Sequence, residues 1–360
     1  MEVDGKQEGE EKVGGSDCET SIFILNKFKK VIKSEGGEVK VVSGYRWKGD
    51  LNPMHIGFVS MEPNTLFIPQ YIDANLILFI QTGEVKVGWI HKDKLVEAKL
   101  KMGDVSVIPA GSAFYFINVG NDEKLRMICS INAAGTSGWK SYQEYEESYK
   151  AWSWRKLLNS IIGKQWRKGG RVHSPEPYNL YGNEPSFCND YGSSISIDRR
   201  QYSPLKLTGT SIYFVNLTAG SMLAPHLNPM ATEYGIILKG TGIIQVVFPN
   251  GTNAMTAKVR AGDVFWVPRY FPFCQIASMD GSLEFFGYTT SEKKNRPQFL
   301  IGASSVLKNM MGPELAAAFG VAEETLERVV GAQSQSIILP PLHEEEGEEK
   351  EQVIIRRVAA

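Results

Sequence analysis

The chain has 360 residues, a formal charge of −1, and an ordinary globular composition with 42% apolar and 22% charged residues. This near-neutral balance provides no basic surface for a nucleic acid or an anionic membrane, so we expect neither as a partner. No apolar run approaches the roughly 18 residues that a membrane-spanning helix needs.

Both ends of the chain are polar and acidic. Residues 1–20, and the region 343–360 that begins with HEEEGEEKEQ, are acidic and low in complexity, which predicts disordered tails. The N-terminal stretch lacks the apolar region of a signal peptide, so the sequence shows no targeting segment. The four cysteines are widely spaced and fit no metal-binding or redox motif.

Between the tails, short apolar runs alternate with turn residues, and a helical pattern follows twice. The first block contains LILFIQTGEVKVGWI (76–90) and GDVSVIPAGSAFYFINVG (103–120), and the helical pattern at 139–163 follows it. The second contains YGIILKGTGIIQVVF (234–248) and GDVFWVPRYFPFCQIAS (262–278), followed by the helical pattern at 304–331. Short period-2 runs between turns predict an all-β sandwich or barrel.

The two blocks are copies of one unit. Gly83 and Gly240 are 157 residues apart, and Gly103 and Gly262 are 159 residues apart. Two segments with nearly the same offset indicate an internal duplication. We predict one barrel with its helical arm over 21–170, and a linker, a second barrel and a second arm over 171–342.

Each helical arm carries an apolar stripe that it cannot bury alone. In the second arm, Leu307, Met310, Leu315 and Phe319 recur at helical spacing. Such a stripe needs a barrel or another subunit to cover it.

The turns, linker and arms resemble those of a known family. The Gly-Asp-Val…Pro turn of both copies resembles the cupin superfamily. YNLYGNEPSFCNDYGSS, VNLTAGSM and RPQFLIGASSVL are similar to vicilin-type seed storage globulins, and this resemblance covers roughly residues 20–340. It implies a mainly β chain of two tandem cupin (jelly-roll) β-barrels, each followed by a small α-helical arm. It further implies a homotrimer joined through the arms, a place in the storage vacuole of the seed, and a non-enzymatic nutrient reservoir.

Metal-binding cupins hold their metal with three histidines and a glutamate. In the second copy His226 and Glu233 match this pattern, but Asn228 stands at the second histidine position and Phe273 at the third. A first-row metal needs several convergent ligands. The resemblance therefore implies no certain cofactor, and a divalent metal on His226 and Glu233 would be weakly held.

Small-ligand binding is the second prediction for the barrel interiors. In the first copy Phe114 occupies the histidine position, so no metal ligand set survives. We predict that polar residues of each barrel hold a small anion or carboxylate. The alternative is that these residues only hydrogen-bond one another or water. The candidates are His226, Asn228 and Glu233 in the second barrel, and Gln70, Tyr71 and Asn118 in the first.

Two sequons are present in the second copy. Asn250 lies in the turn sequence PNGTN and is the predicted glycosylation site, whereas Asn216 lies within a strand pattern and is the poorer acceptor.

Three functions compete at this point. A seed storage globulin agrees with the lost ligands and the unshielded helical stripes, although storage itself follows from resemblance alone. A metal-dependent bicupin enzyme, similar to an oxalate decarboxylase or oxidase or to a superoxide scavenger, needs a metal that Asn228 and Phe273 disfavour. A small-molecule-binding defence protein needs a ligand in at least one barrel.

Overall fold

The computed structural model describes residues 22–44, 54–91, 94–132 and 175–341. Both predicted tails and the helical pattern at 139–163 lie outside these ranges. The described residues are mainly β-structure and form four antiparallel sheets in two similar halves. The predicted fold class is confirmed as two tandem jelly rolls, each built from two facing sheets.

The strands follow one another in the same order in both halves. The first half contains β1 (Ile24–Leu25), β2 (Lys29–Ser34), β3 (Gly37–Ser43), β4 (Met54–Met61), β5 (Leu66–Ile72), β6 (Leu76–Thr82), β7 (Glu84–His91), β8 (Lys94–Lys101), β9 (Asp104–Ile108), β10 (Ser112–Asn118) and β11 (Leu125–Asn132). The second contains β12 (Tyr178–Asn179), β13 (Phe187–Asn189), β14 (Gly192–Ile197), β15 (Ser211–Leu217), β16 (Met222–Leu227), β17 (Glu233–Lys239), β18 (Thr241–Val247), β19 (Asn253–Arg260), β20 (Val264–Val267), β21 (Phe273–Ala277), β22 (Leu283–Thr289), β23 (Gln298–Phe299) and β24 (Ile338–Leu339).

The four sheets are stacked as four layers. The outer N sheet has the order β5-β10-β7-β8, and the inner N sheet has the order β12-β9-β6-β11-β4-β3-β2. The inner C sheet has the order β1-β20-β17-β22-β15-β14-β13. The outer C sheet has the order β19-β18-β21-β16-β23, with β24 also paired to β16.

Alternating residues of the inner strands contribute to two different cores. In β6, Leu78 packs in the core between the two N sheets, whereas Phe79 packs in the core between the two inner sheets. The same alternation in β17 places Ile237 between the two C sheets and Ile236 between the inner sheets. Strands buried on both faces read as continuous apolar runs, which explains LILFI and YGIIL.

Two short strands are exchanged between the halves. β1 comes from the start of the chain but pairs with β20 of the inner C sheet. β12 follows the linker region but pairs with β9 of the inner N sheet. The predicted division near residue 171 therefore separates the two copies in sequence, but it does not separate the sheets.

Glycine turns mark the duplication in space as well as in sequence. Gly83 and Gly240 have φ values of 83° and 82°, in the left-handed region that favours glycine. A Cβ atom at Gly240 would lie 1.9 Å from the carbonyl oxygen of Ser282, so no other residue fits this turn.

The helices lie outside the sheets. They are α1 (Leu205–Thr208), α2 (Val306–Asn309), α3 (Pro313–Phe319) and α4 (Glu323–Gly331). α3 has Pro313 as its first residue and is capped by Gly320, whose φ of 66° lies in the left-handed region. α4 includes Gly331 as its last residue, which is also the last residue of the predicted helical pattern.

Candidate functional site

A buried polar cluster lies between the two C sheets and is centred on Glu233. Glu233 is the first residue of β17 and is 4% exposed. Its Oε2 atom accepts a hydrogen bond of 2.7 Å from the Asn228 amide, which follows β16. Its Oε1 atom lies 3.5 Å from Nε2 of Gln275, which donates from β21. The cluster therefore joins the inner C sheet to the outer one.

Tyr213 completes the cluster from β15 because Gly287 leaves room for its ring. Tyr213 pairs with Gly287 of β22, and a Cβ atom there would lie 2.3 Å from that ring. The Tyr213 hydroxyl thus reaches across β22 and donates to the carbonyl of Tyr234 at 3.1 Å. Glu233 is a second acceptor within reach of this hydroxyl, so its single proton is shared between the two.

Burial controls the charge of Glu233. Desolvation raises the pKa of this carboxyl to about 7, against the opposing effect of the hydrogen bonds from Tyr213, Asn228 and Gln275. These three neighbours are neutral groups, so the carboxylate is stabilised by hydrogen bonds and not by a paired cation.

The carboxylate fixes the direction of the amides around it. Because Asn228 donates its NH₂ to Glu233, its oxygen must accept, and it does so from Nδ2 of Asn295 at 2.8 Å. By the same logic Gln275 turns its NH₂ toward Glu233, and its buried Oε1 has no hydrogen-bond partner in the described residues. The cluster therefore has unused acceptor capacity at Gln275.

His226 is held by a separate set of contacts. Its Nδ1 lies 2.8 Å from the carbonyl oxygen of Ala224. The centroid of its ring lies 4.2 Å from that of Phe273 and 5.3 Å from that of Phe299. Burial lowers the pKa of His226 to about 4, although the Ala224 carbonyl opposes this shift. His226 is therefore a neutral imidazole in an aromatic environment above this pH.

These residues do not fit a divalent metal. A metal needs several lone pairs that converge, but His226 could offer only Nε2, because its Nδ1 lies on the Ala224 carbonyl, and the Phe273 ring packs against the imidazole where a metal-binding cupin has a histidine. The Asn228 NH₂ group points at Glu233 and is a donor. Across the ranges that the structure describes, no three His, Cys, Asp or Glu residues are grouped as a metal site. The predicted metal on His226 and Glu233 therefore has no geometric support.

The predicted residues of the first half do not form one site. Asn118 is fully buried, and its amide donates to the carbonyls of Met61, Glu62 and Glu123, while its oxygen accepts from the amide of Gly120. Its two N–H donors are shared among these three carbonyls, so the side chain serves the local loops.

Gln70 and Tyr71 lie at the far end of the strand pair that contains Asn118. Gln70 pairs with Phe114 of β10, four residues from Asn118, which corresponds to roughly 13 Å along a strand. Tyr71 is 54% exposed. Ligand binding by these three residues stays a prediction, and their positions give it no common pocket.

The sequence patterns did not single out Tyr213, Gln275 or Asn295. Gln275 could have been found, because it lies two positions after Phe273 and alternate residues of a strand share a face. Tyr213 and Asn295 come from segments that lie close to Glu233 only after folding, and neither segment carries a motif.

The two sequons differ in exposure as predicted. Asn250 is exposed in the turn after β18, and its Oδ1 accepts from the amide and hydroxyl of Thr252. Asn216 is half-buried within β15, and its buried Oδ1 has no partner in the described residues. Glycosylation of Asn250 stays a prediction. None of the described helices has the length and apolar character to cross a membrane.

Comparison with known proteins identifies the family. The cupin family model matches residues 23–169 and 178–327, which cover both halves. A vicilin-like seed storage protein of Arabidopsis thaliana is 41% identical over 88% of this chain and 80% of its own length. The chain belongs to the vicilin-like seed storage globulins of the cupin family.

Solved structures share the fold of this vicilin-like globulin. The crystal structure of vicilin from Corylus avellana matches with a TM-score of 0.75 at 22% identity, over 89% of this chain and all of that one. A vicilin from Solanum melongena, whose structure shows different anionic ligands in structurally similar pockets, matches with a TM-score of 0.75 at 17% identity over 90% and 99%. The function is that of a seed storage protein, a nutrient reservoir without enzymatic activity.

Proposed function

We propose that this vicilin-like globulin performs its storage role as a homotrimer in the protein storage vacuole of the seed. The observation that carries the assembly is the apolar surface of the second helical arm. Met310, Phe319 and Val329 are 59%, 54% and 66% exposed. Large apolar side chains clustered on short helices indicate a surface that another subunit covers.

The test is the mass of the assembly in solution, measured by light scattering after size-exclusion chromatography. We expect three times the mass of one chain. Phe319→Lys together with Val329→Lys should shift the protein to monomer, because two charges would be buried at the contact. The matched control is Met279→Lys, which changes an equally exposed residue in the turn after β21. A monomeric unmodified chain, or trimers that persist in the double variant, would refute assembly through this arm.

A second proposal concerns the cluster around Glu233. Its unused acceptor at Gln275 and the pocket ligands of the Solanum melongena protein support a small carboxylic acid or another small polar molecule at this place. Mass spectrometry of molecules released by denaturing native protein tests this proposal, with Gln275→Leu as the comparison. An empty extract from the unmodified protein would remove it. Elemental analysis of the same sample tests the competing divalent metal, which predicts about one ion per chain.

A further inference from the structure

One end of the second jelly roll is crossed by the connection between β22 and β23. This segment, residues 290–297, leads from the inner C sheet to the outer C sheet, and we call it the strap. Thr289, just before the strap, pairs with Glu233. Gln298, just after it, pairs with Leu227, the last residue of β16. The strap therefore passes over the end of the jelly roll where the polar cluster around Glu233 lies.

The polar cluster is closed to solvent in this structure. Asn228, Glu233 and Gln275 are 1%, 4% and 0% exposed. The inner and outer C sheets flank the cluster, and the apolar core between these sheets lies below it. A small molecule that enters or leaves the cluster therefore has to pass the end of the jelly roll that the strap crosses.

The strap contacts the cluster through Asn295. Nδ2 of this residue donates to Oδ1 of Asn228 at 2.8 Å. Its own Oδ1 is buried and has no hydrogen-bond partner in the described residues. A buried acceptor without a donor costs free energy, which is recovered when water reaches it. The contact at Asn295 therefore favours the closed position only weakly, and the strap needs a second attachment.

Asp198 provides this attachment from the loop that follows β14. It is 2% exposed, and its Oδ2 accepts from the backbone N–H of Lys294, next to Asn295, at 2.9 Å. Its Oδ1 accepts from the backbone N–H of Arg200 at 2.7 Å. Hydrogen bonds to a carboxylate are roughly twice as strong as those between neutral groups. One buried carboxylate thus ties the strap to the end of an inner strand.

The neighbouring contact between Arg199 and Glu292 is weaker. The backbone N–H of Arg199 donates to the carbonyl of Glu292 at 3.3 Å, and the two side chains form an ion pair of 2.5 Å. These side chains are 36% and 30% exposed, so water screens the ion pair. Asp198 is therefore the main attachment of the middle of the strap.

We propose that the strap is a gate over the cluster and that Asp198 is the positioning residue that keeps this gate closed. The inference rests on the proposed binding of a small molecule at Glu233. Without the Asp198 carboxylate, the strap loses its bond at Lys294 and opens more often. Small polar molecules then reach the cluster and leave it faster.

Thiol labelling measures how often the strap opens. In full-length protein with Cys18→Ser, Cys188→Ser and Cys274→Ser, Gln275→Cys places a thiol in the cluster. The native Cys129, buried in the core between the two N sheets, is the internal reference. Iodoacetamide is a small neutral reagent, and mass spectrometry of peptides gives its rate of reaction at both thiols.

Asp198→Ala should raise the labelling rate of the introduced thiol about tenfold or more, the effect of losing one hydrogen bond to a charged group. The rate at Cys129 should not change. Asp198→Asn keeps one acceptor oxygen and should give an intermediate rate. An unchanged rate at the introduced thiol would overturn the proposal. Equal acceleration at Cys129 would also overturn it, because Asp198 would then stabilise the whole fold and not the strap.

Asp104→Ala is the matched control. Asp104 is 4% exposed and also accepts from two N–H donors, the backbone of Lys101 and the side chain of Asn179, but it lies in the first half. This variant should leave the labelling rate of the introduced thiol unchanged. Acceleration equal to that of Asp198→Ala would mean that the loss of any buried carboxylate opens the cluster, and would refute the gate.

The labelling needs no bound ligand, so it is independent of the search for a released molecule. Faster labelling in Asp198→Ala together with an empty extract would support the opening of the strap and remove the small-molecule binding. A released molecule together with unchanged labelling would remove the gate and leave the binding in place.

Discussion

Burial acts on Glu233 and His226 in opposite directions. The folded chain raises the pKa of Glu233 from 4.5 to about 7 and lowers the pKa of His226 from 6.5 to about 4, in both cases through desolvation. Both groups are therefore more nearly neutral in the folded state than in the unfolded one. Their effects on stability fall in overlapping pH windows and have opposite signs.

For Glu233, stability is highest in acid. Below pH 4.5 the carboxyl is protonated in both states, and between pH 4.5 and 7 only the unfolded state releases its proton. As the pH rises through this window, the contribution of Glu233 to the free energy of unfolding therefore falls by on the order of 3 kcal/mol, and it is constant above pH 7. We expect Glu233→Gln to gain that amount relative to the unmodified chain between pH 4.5 and 7, measured by urea unfolding at each pH. Glu327→Gln, on the exposed face of α4, is the control and should show no such trend.

For His226, stability is lost in acid. As the pH falls below 6.5 the unfolded state takes up a proton, and the folded state does so only near pH 4. The contribution of His226 therefore drops by on the order of 3 kcal/mol between pH 6.5 and 4. As the pH falls from 6.5 to 4, the free energy of unfolding of His226→Gln should therefore increase relative to that of the unmodified chain in the same titration. If the two variants followed the same pH trend, the opposite environments inferred for these residues would be wrong.

The absence of a full set of metal ligands could be predicted from single residues of the sequence, but the polar cluster around Glu233 could not. Phe273 and Asn228 stand at fixed distances from motif residues, so their departure from a ligand set is visible in the sequence. The role of Tyr213 depends on Gly287 in a neighbouring strand, which leaves space for its ring. Such a contact between strands has no fixed spacing along the chain.

At the scale of elements, the strongly patterned strands were predictable and the shortest ones were not. β6 and β17 have continuous apolar runs bounded by glycine turns, and both were found in the sequence. β1 and β12 have two residues each, too few to show a period. Their exchange between the halves follows from tertiary packing alone.

The N-terminal segment that contains β1 is anchored by Phe23. This residue is 0% exposed and packs against Phe271 and Trp266 with ring centroids 5.7 Å and 6.0 Å apart, while the Trp266 indole donates to the carbonyl of Ile22 at 2.7 Å. Phe23→Ala should destabilise the chain by about 3–5 kcal/mol through the cavity it leaves. Chemical denaturation would measure this loss.

Phe28 is the matched control for this prediction. It lies five residues further along, is 38% exposed and contacts Phe58 at its edge. Phe28→Ala should lower the free energy of unfolding by well under half as much, because this side chain buries less apolar area on folding. Equal losses in the two variants would mean that β1 does not fasten the N-terminus to the inner C sheet.

At the scale of the whole molecule, the two copies share one central core. Phe79 of the inner N sheet stacks on Phe286 of the inner C sheet, with centroids 4.1 Å apart and planes 11° apart. β1 and β12 cross between the halves, and residues of both halves form a single cluster between the inner sheets. A shared core and exchanged strands couple the unfolding of the halves.

We therefore expect calorimetry to show one cooperative transition for the chain. Phe286→Ala should lower its midpoint, since removing a buried phenylalanine costs about 3–5 kcal/mol and weakens both halves at once. Phe319→Ala is the control, because the 54% exposed Phe319 of α3 lies outside this core and its truncation should leave the midpoint nearly unchanged at protein concentrations where the chain is monomeric. A Phe286→Ala transition that splits in two, with one half keeping the original midpoint, would show that the halves fold independently in spite of the strands they exchange.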